Sequence, residues 1–374
     1  MKTVGIITMH KVLNYGSVLQ AHATQQALEK LGVSCEIIDY IFPNKFHKKT
    51  TKTTIAHLRH FASELYTGFA QIRKQKYFNA FYREHLNLSK QTYNSPAEIF
   101  TASPIYDVYM VGSDQTWYVH DEEGDKVFFL SFAPKGAKKI SYASSFGPVS
   151  TENKRLQELK NELNEFSALS VRERNGQKVI ADLIQKKADI CLDPTLLLNK
   201  EEWGKLAQKS TLKIKKAYVL VYILKYAYNP YPFVVNFIKK VREKTGLHIV
   251  LLSFEKFQEL ETKDITYLHD GVSPCDFLSL FQNASLIVTN SFHGTAFALN
   301  FERLFFSIIN DKMSSDDRMF SLLQEVDAEN QAIKCNSEIS DISLEMDYEA
   351  VSKKLQEKRD SSIEYLRNNI KTIS

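Results

Sequence analysis

The chain has 374 residues, 44% of them hydrophobic and 25% charged, with a formal net charge of +4. That composition excludes a disordered or membrane-embedded chain, and so mild a charge implies no nucleic-acid partner. The length is that of two domains of ordinary size.

Val4 to Thr8 is a short apolar strand that stops at His10-Lys11, too short for a signal peptide. After Asn14-Tyr15-Gly16-Ser17, apolar residues at helical spacing (Val18, Leu19, Ala23, Ala27, Leu28, Leu31) predict a helix closed by Gly32. Ser34 to Tyr40 is a second strand, and residues 43–54 read as a loop. The stretch 55–85 is helical and rich in aromatics, within a helical insertion of about 55–100. Tyr106 to Val111 is a strand ending at Gly112-Ser113-Asp114-Gln115, and Lys139 to Ser144 is another. A charged helix over 152–166, a strand Leu169 to Arg172 and a helix Asn175 to Ile184 follow. Ile190 to Thr195 reads as the last strand edge of this set.

A second alternation then begins. Ala217 to Leu224, His248 to Phe254, Ser285 to Thr289 and Leu304 to Ile309 are strands. Pro232 to Lys244, Pro274 to Asn283, Gly294 to Asn300 and Arg318 to Val326 are helices, and a charged helix covers about 346–370. Two successive α/β sets predict two Rossmann-like domains facing a cleft: residues 1–195, residues 196–330, and a helical tail over 331–374. No apolar run approaches the roughly 20 residues that span a bilayer. The cysteines Cys35, Cys191, Cys275 and Cys335 form no C-x-x-C pair. No disulfide framework or zinc site is expected, and a reducing cytoplasmic setting is.

Five constellations fall in strand-end loops, where such sheets bind ligands. Around Asn14 and Gly16, a helix start suits a phosphate or carboxylate; an ordinary turn capped by Ser17 is the plainer reading. Ser113, Asp114, Gln115 and Trp117 suit a sugar, or a capped turn beside a buried Trp. Arg172 at a strand end can grip a carboxylate or phosphate, although most such residues sit in ion pairs. Thr289-Asn290-Ser291-Phe292-His293-Gly294-Thr295 joins an apolar strand to a helix, and places His293 where proton transfer near neutral pH is suited. Lys312, with Arg318 further on, follows the next strand. The basic run Lys45, His47, Lys48, Lys49 and Lys52 suits contact with an anionic membrane surface, or more plainly a solvated loop.

Taken together these segments resemble the polysaccharide pyruvyl transferase family. The resemblance lies in His10 with Asn14-Tyr15-Gly16-Ser17-Val18-Leu19-Gln20-Ala21, then Gly112 to Trp117, Ser141 to Gly147, Ser170 to Glu173, Leu192 to Leu197 and Thr289 to Gly294. It implies a fold similar to the GT-B glycosyltransferases, with the first domain on the acceptor side and the second on the donor side. It also implies phosphoenolpyruvate as a donor substrate, and a cell-surface sugar, often lipid-linked, as acceptor, with no cofactor or metal. The family's His falls on His293, its strand-end Arg on Arg172 and its downstream Lys on Lys312. Ser291, Gly294, Asn14 and Gly16 are further donor-side candidates. His10, Ser113, Asp114, Gln115, Trp117 and Arg318 are acceptor-side or secondary ones. Some members carry Arg two residues before the His, where this chain has Ser291. Arg318, Arg174 and His10 are candidate replacements. Two alternatives stay open: a GT-B glycosyltransferase using a nucleotide-sugar, and a non-catalytic sugar-binding protein of polysaccharide assembly.

Overall fold

The structure, a computed structural model, describes residues 2–41, 58–119, 125–224, 228–252, 260, 265–268, 272–310, 318–335, 337–338 and 342–371. The expected loop at 43–54 with its basic run, and Lys312, lie outside the described residues. The chain forms two compact units. One is Met1–Phe69 with Phe78–Leu198 and Lys358–Ser374; the other is Ala70–Tyr77 with Asn199–Glu357.

The first part of the chain carries, in order, β1 (Thr3–Ile7), α1 (Tyr15–Lys30), β2 (Ser34–Tyr40), α2 (Leu58–His85), β3 (Leu88–Tyr93) and α3 (Pro96–Thr101). Then come β4 (Val108–Val111), α4 (Asp125–Phe128), β5 (Lys138–Ser141), α5 (Lys154–Glu158), α6 (Lys160–Asn164), β6 (Ser170–Val171), α7 (Arg174–Ile184) and β7 (Asp189–Ile190). Five strands form a parallel sheet in the order β3-β2-β1-β4-β5, while β6 and β7 pair separately. The central strands β1 and β4 are apolar runs without alternation, as a sheet covered on both faces requires. The expected helical insertion is α2 followed by the edge strand β3 and the short α3. The helix expected over 152–166 is two helices, because Leu159 leaves the helical conformation at φ −93°, ψ 7°.

The second part carries α8 (Lys200–Ala207), β8 (Tyr218–Tyr222), α9 (Phe233–Thr245), β9 (His248–Leu252), β10 (Ile265–Tyr267), α10 (Pro274–Asn283) and β11 (Leu286–Thr289). It continues with α11 (Phe292–Asn300), β12 (Leu304–Ile309), α12 (Arg318–Glu325), β13 (Ala332–Lys334) and α13 (Tyr348–Lys371). Its six strands run parallel in the order β10-β9-β8-β11-β12-β13. Val219, Val221, Ile249, Leu286, Val288 and Phe306 pack with Ile238 and Val241 of α9 to fill one face. The tail expected over 331–374 is not a separate piece. β13 is the edge strand of the second sheet, and α13 divides between the units at Lys358.

Both sheets reverse strand order once, between β1 and β4 and between β8 and β11. Such a switch point leaves a crevice at the carboxyl ends of the strands, where ligands bind in open α/β sheets. Among the described residues, no helix is long and apolar enough to cross a membrane.

Candidate active site

The switch point of the second sheet is held closed by one side chain. Leu224, just beyond β8, donates its N–H to Asn290 Oδ1 (2.7 Å), and Asn290 Nδ2 donates back to the Leu224 carbonyl (3.0 Å). The amide thus extends the β8–β11 pairing by one rung. Thr289 Oγ1 donates to the Tyr222 carbonyl (2.7 Å) and accepts the Ser291 N–H (3.0 Å). Ser291 caps α11, its Oγ accepting the Gly294 N–H at 3.3 Å.

These bonds fix the first turn of α11, which carries His293 at the end of β11. His293 is 7% exposed, and its ring stands edge-on to Phe292 at 5.3 Å. The Arg318 guanidinium carbon lies 5.9 Å from the centre of the same Phe292 ring. Thr295 Oγ1 and Ser307 Oγ, 2.6 Å apart, tie α11 to β12. His293, Ser291, Gly294 and Arg318 therefore come together at one strand end. Ser291 Oγ and the Gly294 N–H are joined in the cap itself.

The switch point of the first sheet is a buried polar network. Thr8 Oγ1, after β1, donates to the Ser113 carbonyl after β4 (3.0 Å). Ser17 Oγ, in the first turn of α1, donates to Asp114 Oδ2 (2.5 Å). Asp114 adopts φ +75°, a left-handed conformation that Asp tolerates better than most residues, and its Oδ1 accepts the Gln115 N–H (2.9 Å). Asn14 caps α1 with Oδ1, which accepts the N–H groups of Gly16 (2.9 Å) and Ser17 (3.4 Å). The Gly16 amide expected to meet an anion is engaged by this cap.

Arg172 lies inside the same network. Its Nη1 donates to Asp193 Oδ2 (2.7 Å), Nη2 reaches Asp114 Oδ1 (3.5 Å), and Nε lies 3.7 Å from Glu173. Burial alone would disfavour the cation, but the carboxylates of Asp193, Asp114 and Glu173 outweigh it and hold the guanidinium charged. The expected anion clamp is thus a fully buried internal ion-pair centre, with its side chain 1% exposed. The single Ser113 O–H is shared between two acceptors, Asp193 Oδ2 (2.8 Å) and the Ala143 carbonyl (2.9 Å).

Trp117 offers no sugar platform. It is wholly buried among Phe129, Phe146 and Phe166, and its indole N–H donates to the Phe128 carbonyl. Gln115 is half-buried against Gly147. His10 is also wholly buried, with Nε2 3.1 Å from Asp39 Oδ1 and Nδ1 3.2 Å from the Thr8 carbonyl. Burial would push the Asp39 carboxyl up, but hydrogen bonds from His10, Lys11 and Thr92 hold it well below the usual carboxylate range.

Asp39, Asp193 and Asn290 organise these sites, and none of them was singled out as a site residue from the sequence. Asp39 did leave a signal: it is a carboxylate between the apolar pair Ile37-Ile38 and Tyr40, near the end of the strand.

A sequence model of the family described as polysaccharide pyruvyl transferase matches residues 14–312. No curated protein matches the sequence. Among solved structures, the UDP-GlcNAc 2-epimerase of Methanocaldococcus jannaschii, in complex with UDP-GlcNAc and UDP, is similar at TM-score 0.52 and 15% identity. The match covers 96% of this chain and 93% of that one. A candidate UDP-N-acetylglucosamine 2-epimerase from Listeria monocytogenes is similar at TM-score 0.52 and 10% identity, over 98% and 90%. The ADP-heptose LPS heptosyltransferase II of E. coli matches more loosely, at TM-score 0.40 and 11% identity, over 96% and 99%. At such identities the likeness to the two epimerases is one of fold alone, two Rossmann-like units.

Proposed function

The chain belongs to the polysaccharide pyruvyl transferase family, and from that premise we propose that it moves the pyruvyl group of phosphoenolpyruvate onto two hydroxyls of one sugar. The acceptor is a cell-surface polysaccharide or its lipid-linked precursor, and the product is a cyclic pyruvate ketal. The observation that carries this reading is the placement of His293, held in the first turn of α11 at the switch point of the second sheet.

His293 acts as the general acid. Its imidazolium protonates the CH2 carbon of the enol, which leaves C2 electrophilic. A sugar hydroxyl adds to C2 and loses its proton. The bond from C2 to the phosphate oxygen then breaks, and a second hydroxyl closes the ketal. Of the two hydroxyl protons, one balances the proton now in the methyl group and the other leaves with phosphate. Nothing is oxidised or reduced, so the reaction calls for no redox partner.

Arg172 serves this chemistry from behind, as the cation that holds Asp114, Asp193 and Ser113 in place. Lys312, where the family's downstream Lys falls, neutralises charge on the departing phosphate.

The test is phosphate release from phosphoenolpyruvate with a competent acceptor. His293→Ala and His293→Gln should each lower the rate by about 100-fold or more. Activity within a few-fold of the wild type, or turnover of a nucleotide-sugar in place of phosphoenolpyruvate, would overturn the reading.

A further inference from the structure

The chain lacks an arginine at Ser291, so a donor bound beside His293 needs its negative charge met by another residue. Three side chains are candidates on sequence alone: His10, Arg174 and Arg318. His10 has no exposed surface and is engaged by Asp39. Arg174 opens α7, and it is exposed on the first unit. Arg318 belongs to the same unit as His293. It opens α12, the helix after β12, and β12 runs parallel to β11 as its direct neighbour.

Arg318 and His293 flank one aromatic ring. The guanidinium carbon is 5.9 Å from the Phe292 centroid, and the His293 ring is 5.3 Å from it at 88°. Phe292 is buried, so the cation rests on a ring that water hardly reaches, where such contacts are strongest. A cation over a ring is held by its charge, whereas oxyanions are bound in the plane of a guanidinium by its N–H donors. The two can therefore act together, and the ring pre-positions the fork.

We propose that Arg318, seated on Phe292, is the residue that binds an oxyanion of the donor next to His293. This rests on the reading of the chain as a pyruvyl transferase using phosphoenolpyruvate. Phe292 is then a positioning residue that holds the fork by its ring.

Calorimetric titration of phosphoenolpyruvate into the full chain tests it. Arg318→Ala should weaken binding by about 10- to 100-fold, the usual effect of losing a charge-assisted pair. Arg318→Lys should fall between, because it keeps the charge and loses the fork. Phe292→Leu should weaken binding by a few-fold with its melting temperature little changed. In steady state the KM for phosphoenolpyruvate should rise in Arg318→Lys while kcat stays within a few-fold. A merely structural role would not separate these two.

Inorganic phosphate and pyruvate, titrated separately, identify the bound end: the probe whose binding Arg318→Ala abolishes is the one Arg318 holds. Binding within twofold of the wild type in Arg318→Ala overturns the assignment and leaves the pyruvyl-transferase reading intact. If that variant does not fold, the same result in Arg318→Lys, with an unchanged KM, overturns it. A wild type that binds no phosphoenolpyruvate removes the reading and the assignment together.

Discussion

Arg172 directly follows strand β6, whereas Arg318 opens helix α12, and their surroundings differ. Arg172 is sealed among Asp114, Glu173 and Asp193, so its charge is consumed inside the protein. Removing one partner of a buried ion network strands the others without compensation, at a cost of roughly 3–5 kcal/mol. Arg172→Met should therefore lower stability by about that much in urea unfolding. The folded fraction should bind phosphoenolpyruvate within a few-fold of the wild type. Unchanged stability with lost donor binding would return Arg172 to the donor site.

Asp39 makes a pH prediction at the same scale. Its folded-state carboxyl ionises well below the ordinary value of about 3.9. Its ionised bonds to His10, Lys11 and Thr92 thus add stability above about pH 4, and that contribution drains away as the pH falls further. The stability gap between wild type and Asp39→Asn should be full at pH 6 and shrink toward pH 3. A gap that stays constant with pH would refute this.

At the level of elements, α11 is seated where only glycine fits. A methyl at position 294 would run into Thr289 Oγ1 and stand 3.1 Å from both Cβ and Cγ2 of that residue. Thr289 cannot swing aside, because its hydroxyl bonds the Tyr222 carbonyl and the Ser291 N–H. Gly294→Ala should cost about 1–3 kcal/mol by overpacking. It should also lower turnover beyond what stability explains, since the turn that moves carries His293. A variant with wild-type melting and rate would show that the helix start has slack.

This turn was legible in the sequence because its signals are local, an apolar strand running directly into a helical segment, although the helix expected from Gly294 begins two residues earlier at Phe292. Strands β2 and β12 and helix α10 were read to the residue for the same reason. β3 escaped because Leu88-Ser89-Lys90-Gln91-Thr92-Tyr93 is a mostly polar edge strand, with a weak burial pattern to betray it. The fate of Arg172 and Trp117 was also hidden. Asp193 and Phe166 reach them through the fold from 21 and 49 positions along the chain, and no local periodicity records such meetings.

For the whole molecule, α13 is the element that answers to both units. Its first residues bind the second unit: Tyr348 OH donates to the Arg303 carbonyl, and Ser352 Oγ to Glu302 (3.2 Å). Its later residues bind the first: Arg359 Nε donates to the Leu196 carbonyl (2.7 Å), Tyr365 OH to the Ser141 carbonyl (2.9 Å), and Ser362 Oγ accepts the Leu192 N–H (2.9 Å). The chain has two tryptophans, Trp117 in the first unit and Trp203 in the second, both wholly buried. Fluorescence of Trp203→Phe and Trp117→Phe backgrounds therefore follows each unit by its own reporter. Deleting residues 348–374 should lower the urea midpoint seen by both reporters, because each unit loses buried contacts to α13. Ser362→Ala leaves a buried Leu192 N–H without its acceptor, at a cost of about 1–3 kcal/mol, and should shift the Trp117 signal first. A deletion that moves only one reporter would mean that the other unit owes its stability to its own sheet alone.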